Sequence, residues 1–309
     1  MQKTEEMVEH KKANLFVVGA MRAGTTSFMK VLEEHPEVYT APIKEPHYFI
    51  TELPEAVYSP SKKFSVAAYF KHDFPKKMHI AQVQSTAHYE KLFSLAGDQK
   101  YRVEASTCYL HEPNAASKIK RYNPDAKIII LLRDPLERAY SQYAMNVGLG
   151  RENKAFEAVV AKELQQLKEG SLPWHSILNM SCYDPSIARY RQLFKDVCVL
   201  TLQGLSRAPK DAFKTSANFL QIAPFQAQFL PKSNEAIHVK NKQLVYRLKK
   251  SGLKGFASNV LGANAKHKIL RVLSQGNSEP LISTELKLQL DTFFMMHSKV
   301  YLELIQHSD

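Results

Sequence analysis

Two short stretches of this sequence carry residue types that could do chemistry. The first is Gly19-Ala-Met-Arg-Ala-Gly-Thr-Thr-Ser27, in which Gly19 and Gly24 bracket four residues. That spacing belongs to phosphate-cradling loops, whose backbone N–H groups turn inward on an anion. An apolar run, Leu15 to Val18, precedes it, and a segment with helical spacing follows. A helix opening at Thr25 would add its positive dipole end and unpaired N–H groups. Thr25, Thr26 and Ser27 would add hydroxyls. A glycine-containing strand-to-helix turn capped by a threonine is the plainer reading of the same residues, but context and spacing favour a phosphate site.

The loop departs from the nucleoside-triphosphatase pattern at one place. There, the second glycine precedes a lysine that reaches the terminal phosphates. Here Gly24 is followed by Thr25, and the only cation in the loop is Arg22. The run Lys127 to Leu132 ends in Arg133 rather than a metal-binding acid. An ATP-dependent kinase of this loop type is therefore an alternative and not the leading expectation.

The second stretch is Arg133-Asp-Pro-Leu-Glu-Arg-Ala-Tyr-Ser141. Arg133 would stand at the end of a strand, Pro135 suits a first helical turn, and Ser141 falls two turns in. A guanidinium with a nearby hydroxyl makes a two-point clamp for a further phosphate group.

The elements that must position these residues follow from hydrophobic pattern. Leu15 to Val18, Lys127 to Leu132 and Val197 to Leu202 read as strands buried on both faces, and Tyr101 to Ala105 as a weaker fourth. Thr25 to Glu34, about Leu136 to Val147 and Pro209 to Ile222 have helical spacing. Alternation of strands and helices predicts an α/β fold: a single three-layer α/β/α domain with a central, mostly parallel sheet and a P-loop-like phosphate-binding loop. Ligands of such sheets bind beyond the C-terminal strand ends, which is where both stretches fall. The expected domain spans residues 1–309, with a core over 14–222 and a helical C-terminal extension over 223–309 that ends in one helix, Leu286 to Ile305.

Composition narrows the setting. Of 309 residues 44% are hydrophobic and 23% charged, and the net charge is +12, which favours anionic partners without choosing one. No basic stripe interleaved with aromatics suggests nucleic acid as partner. The basic run Lys240 to Lys254 reads as a solvated helix face. Cys108, Cys182 and Cys198 have no metal-ligand spacing, and no metal site is expected. A polar N-terminus, the lack of an apolar run long enough to span a membrane, and scattered cysteines together suggest a cytoplasmic protein.

With both motifs in view, the chain resembles sulfotransferases that use 3′-phosphoadenosine-5′-phosphosulfate (PAPS). The loop GAMRAGTTS is similar to their 5′-phosphosulfate loop, and LLRDPLERAYS to their 3′-phosphate motif. Lys44-Glu-Pro-His-Tyr-Phe49 and Glu104-Ala-Ser-Thr-Cys-Tyr-Leu110 fit the bacterial and glycan branch, including the enzymes of heparan sulfate. The likeness covers residues 14–150 and weakens towards 222. It implies that Arg22, Ala23, Gly24, Thr25, Thr26 and Ser27 hold the 5′-phosphosulfate, and that Arg133 and Ser141 hold the 3′-phosphate. PAPS would be the co-substrate, 3′-phosphoadenosine-5′-phosphate (PAP) the product, and no metal would be required. The family often has lysine at Arg22; arginine keeps the charge but does not give up a proton. A lysine common after the glutamate is here Ala105.

The resemblance further implies in-line transfer of a sulfuryl group to an acceptor hydroxyl or amine, with a carbohydrate or other small metabolite as acceptor, such as a glycan or lipid-linked sugar. Arg22 would stabilise leaving-group charge and Glu45 would take the acceptor's proton. Burial among His47, Tyr48 and Phe49 should raise the Glu45 pKa; the plainer reading is a solvated Glu45 paired with Lys44. His47 and His111 are rival bases. Lys44, His47, Glu104 and Tyr183 are the expected acceptor-side residues. A non-catalytic nucleotide- or anion-binding protein is the remaining alternative.

Overall fold

The computed structural model describes residues 11–60, 64–231 and 282–306, with residues 238–239, 243, 246–247 and 274–275. The basic run 240–254 lies outside the described residues save for positions 243, 246 and 247. Contacts group the chain into two compact units. The first comprises Met1–Ala20, Thr25–Leu132 and Ile187–Pro231; the second comprises Met21–Gly24, Arg133–Ser186 and Lys232–Asp309.

The first unit is built on a parallel five-stranded sheet of order β2-β5-β1-β6-β7. Its strands are β1 (Leu15–Gly19), β2 (Val38–Thr40), β5 (Tyr101–Glu104), β6 (Lys127–Leu132) and β7 (Val197–Thr201). The two strands richest in apolar residues take the middle. All five residues of β1 and the last five of β6 are buried, each large side chain stabilising the core by about 1.5–3 kcal/mol. From β1 the chain crosses to β2 on one flank, and from β6 to β7 on the other, so strand order reverses between β1 and β6. That reversal is where a parallel sheet opens a crevice at its C-terminal edge. A second, two-stranded parallel sheet pairs β3 (Ile43–Glu45) with β4 (Met78–Ile80), setting Ile43 opposite Met78 and Glu45 opposite Ile80.

Helices flank the sheet. α1 (Thr25–Glu33) buries Phe28, Val31 and Leu32, the apolar positions its spacing marks, and stops before His35-Pro36. α2 (Ala115–Tyr122) buries Ala115, Ala116 and Ile119.

The second unit packs α3 (Pro135–Gly148) and α4 (Phe156–Lys168) around Tyr143, Phe156, Val160, Leu178, Leu290 and Phe294. α3 starts where its sequence directs: Pro135 is in the first turn, and the Asp134 carboxylate accepts the Glu137 N–H at 2.9 Å. The C-terminal segment is two helices, α5 (Thr284–His297) and α6 (Lys299–Gln306), rather than one. The break has a physical cause. Ser298 is fully buried and donates from Oγ to the Ser181 carbonyl at 2.7 Å, while Asp184 accepts the N–H groups of Lys299 and Val300 at 2.8 and 3.1 Å. A carboxylate on those two donors caps a new helix.

Candidate active site

The loop after β1 is held by backbone on both sides. Leu110 N–H donates to the Val18 carbonyl at 2.8 Å, and Ala20 N–H to the Leu131 carbonyl at 2.6 Å. Gly19 is required by close approach, because a Cβ there would stand 2.7 Å from the Leu110 Cβ and 2.9 Å from the Thr107 carbonyl oxygen. Gly24 has φ +84°, a conformation natural to glycine. Arg22 adopts φ 73°, where a side chain costs of order 1 kcal/mol or more. α1 begins at Thr25 as the loop motif predicts; Thr25 and Ser27 are buried and Thr26 half-buried in its first turn.

In the second unit, Arg22, Arg133 and Ser141 come together. Arg22 donates from Nε to Ser141 Oγ at 3.0 Å. Burial, and then the like charge of Arg133, push the Arg22 guanidinium below its ordinary pKa. Arg133 leans on the exposed Glu137, with Nε and Nη2 each 3.1 Å from Oε2. Two guanidiniums that repel each other beside a hydroxyl fit an anion, which would relieve the repulsion.

Two further residues hold this arrangement from inside. Tyr183 is fully buried and its hydroxyl donates to the Arg133 carbonyl at 2.7 Å, so it fixes the turn carrying Arg133. Arg138, which the sequence reading did not single out, is fully buried. It donates to Ser181 Oγ and the Ile177 carbonyl, each at 2.7 Å, and to the Met21 carbonyl of the loop at 3.5 Å. Burial pushes its pKa down to about 10, still charged at neutral pH. Its only advance sign was an arginine one helical turn after Asp134.

The first unit carries a carboxylate cluster centred on Glu45, which is 7% exposed. Lys44 Nζ lies 2.7 Å from Oε1, and the Thr107 hydroxyl donates to Oε2 at 3.0 Å. His47 Nε2 is 3.7 Å from Oε2, and His79 Nε2 is 3.9 Å from Oε1. Burial alone would raise the Glu45 pKa, as the sequence suggested. The charges of Lys44, His47 and His79, with the Lys44 hydrogen bond, outweigh it and bring it down to about 2. The expected rise is therefore corrected. The pairing with Lys44 is present, but in a buried setting and not a solvated one.

His47 is fully buried with neither ring nitrogen hydrogen-bonded, and burial pushes its pKa down to about 4, leaving a neutral imidazole. Its backbone has φ 48°, and its N–H donates to Ser106 Oγ at 3.0 Å. His111 is also buried, at 4% exposure. Thr107 and His79 are members of the cluster that sequence reasoning missed.

Glu104 lies inside, 1% exposed. Its Oε2 accepts the Tyr89 and Tyr109 hydroxyls at 3.0 and 3.1 Å, and Tyr109 also takes the Phe49 N–H at 3.1 Å. Burial pushes the Glu104 pKa up to about 7 against those hydrogen bonds. It ties the end of β5 to the segment after Glu45 and has no ion-pair partner among the described residues.

Residues 14–184, more than half of the chain, match the profile described as "Sulfotransferase family". The membrane-associated sulfotransferase kil1 of Dictyostelium discoideum is 30% identical over 142 residues, 46% of this chain and 25% of that protein. Carbohydrate sulfotransferase 15 of Mus musculus is 24% identical over 180 residues, 49% of this chain and 30% of that protein. The match thus spans less than a third of either curated relative. A solved sulfotransferase from Alicyclobacillus acidocaldarius superposes with a TM-score of 0.57 at 29% identity, over 73% of this chain and 86% of that one.

Proposed function

The chain belongs to the sulfotransferase family, and from that premise we propose that it moves a sulfuryl group from PAPS to a hydroxyl or amine of a carbohydrate acceptor. The observation that carries the donor assignment is the Arg22–Ser141 hydrogen bond at 3.0 Å, with Arg133 as the second charge on the same group. Arg133 and Ser141 would hold the 3′-phosphate, and Arg22 with the N-terminus of α1 the 5′-phosphosulfate. PAPS supplies an activated sulfuryl group whose leaving oxygen gains negative charge as transfer proceeds. Arg22 offsets that charge electrostatically and donates no proton.

Glu45 takes the acceptor's proton. A pKa near 2 keeps it ionised, the state a base requires, at the cost of basicity. Lys44 and Thr107 fix the carboxylate's orientation. A carbohydrate acceptor is supported by the name of the murine relative and by the net charge of +12, which suits an acidic glycan. The cytoplasmic reading rests on Cys108, Cys182 and Cys198, all free thiols.

Incubation with sulfur-labelled PAPS and a panel of glycans, lipid-linked sugars and small alcohols tests the reading. Label moving from nucleotide to a glycan supports it. Label that stays on the nucleotide with every acceptor while phosphate moves from ATP would replace it with the kinase reading.

A further inference from the structure

Glu45 sits in a setting that receives a proton readily from geometry but keeps it poorly. With Lys44 Nζ 2.7 Å from one oxygen and the Thr107 hydroxyl 3.0 Å from the other, the ionised form is strongly held. A proton delivered there needs somewhere to go before the next turnover. Four side chains surround the carboxylate. Lys44 is a charged donor and cannot accept; Thr107 already donates to Oε2. His47 has a free imidazole but is fully buried, with no way out to water. His79 is different. Its side chain is 56% exposed while that of Glu45 is 10% exposed, and its Nε2 stands 3.9 Å from Oε1. A small rotation of an exposed ring brings such a pair within hydrogen-bond reach. The β3–β4 register, with Glu45 opposite Ile80, fixes the neighbouring backbones and hence this approach.

We infer that His79 is the proton exit of the Glu45 site, a positioning and relay residue that passes the acceptor's proton from the buried carboxylate to solvent. The inference rests on Glu45 being the base. The acceptor O–H bond breaks as its oxygen bonds to sulfur, and the sulfur–oxygen bond to the donor phosphate breaks with its electron pair leaving on PAP. The proton moves from the acceptor to the Glu45 carboxylate, then to His79 Nε2, and the imidazolium releases a proton from Nδ1 to water. The charged and titratable groups facing His79 are Glu45, Lys44 and His47. Burial and Lys44 hold His79 below the ordinary histidine value against the pull of Glu45, so it is neutral and able to accept at neutral pH. A neutral imidazole is a stronger base than a carboxylate by roughly two pKa units, which makes the transfer downhill.

Two measurements on the full chain test this. The first needs no turnover: titrate the His79 ring proton by NMR in wild type and in Glu45→Gln. Removing the carboxylate should move the His79 midpoint to lower pH, and an unmoved midpoint overturns the relay. The second follows PAPS hydrolysis, with water as the acceptor. His79→Gln should slow turnover about tenfold at pH 7, flatten the rise of rate with pH, and recover with added imidazole. A wild-type rate and pH profile in His79→Gln, beside an inactive Glu45→Gln, sinks the relay alone. Full activity in Glu45→Gln sinks the base assignment and the relay with it.

Discussion

Arg22 Nε donates to Ser141 Oγ at 3.0 Å, so the only cation of the phosphate loop is tied directly to a hydroxyl of α3. Groups assigned to the two ends of one donor therefore share a contact. On this account the pair acts as a unit. Arg22→Ala and Ser141→Ala should each weaken PAP binding, and the double variant should lose less than the sum, with a coupling of roughly 0.5–3 kcal/mol. Strict additivity in a calorimetric cycle would separate the two residues.

Arg133 discriminates between nucleotides. Arg133→Ala should cost about 1.5–3 kcal/mol, roughly ten- to a hundredfold, in binding of 3′-phosphoadenosine nucleotides. Binding of adenosine-5′-phosphosulfate should change far less. Equal losses for both ligands would remove Arg133 from the 3′-phosphate.

Glu45→Gln should lower turnover by roughly 10²- to 10⁴-fold while PAP affinity stays near that of wild type. Against burial, Lys44, His47 and His79 together bring the Glu45 pKa down to about 2, Lys44 with the largest pull, and activity on the acid side is lost as pH falls through that value. Lys44→Met should therefore move the acid limb of the pH–rate profile upward. A limb that stays in place would show that Glu45 is not the group titrating.

Glu104 gives an opposite pH signature in stability. Its folded pKa of about 7 lies above the ordinary carboxyl value of 4.5, so the folded state binds the proton more tightly. Its contribution to stability is full below about pH 4.5 and is lost as pH rises through 7, a total on the order of 3 kcal/mol. Glu104→Gln, which still accepts from Tyr89 and Tyr109, should flatten that slope in denaturant titrations between pH 5 and 8. An unchanged slope would assign it to another group.

Gly19→Ala should destabilise the fold by about 1–3 kcal/mol, since the new Cβ meets Leu110 and the Thr107 carbonyl at 2.7 and 2.9 Å. Thermal melting checks this, and a variant as stable as wild type would mean the 107–110 turn yields freely.

What the sequence made legible has a physical pattern. β1 and β6 announce themselves as apolar runs rich in β-branched residues because both of their faces need cover, β7 reads the same way although one of its faces is only half-buried at the sheet edge, and the loop after β1 is legible because glycine spacing is a backbone requirement. The short strands β3 and β4 escaped notice because three residues of mixed polarity, such as Met78-His-Ile80, carry no period. His79 was invisible for the same reason: only strand register carries it to Glu45. The burial of Glu45 is legible in its aromatic neighbours, whereas the combined pull of Lys44, His47 and His79 that lowers its pKa is a property of three-dimensional placement. The single terminal helix failed at Ser298, whose partners Ser181 and Asp184 lie more than a hundred residues away.

Calorimetric titration with PAP, alongside ATP and AMP and with and without Mg²⁺, tests the central claim most directly. The account predicts tight, metal-independent binding of PAP that AMP, lacking the 3′-phosphate, does not match. No binding of PAP together with Mg²⁺-dependent binding of ATP would contradict it.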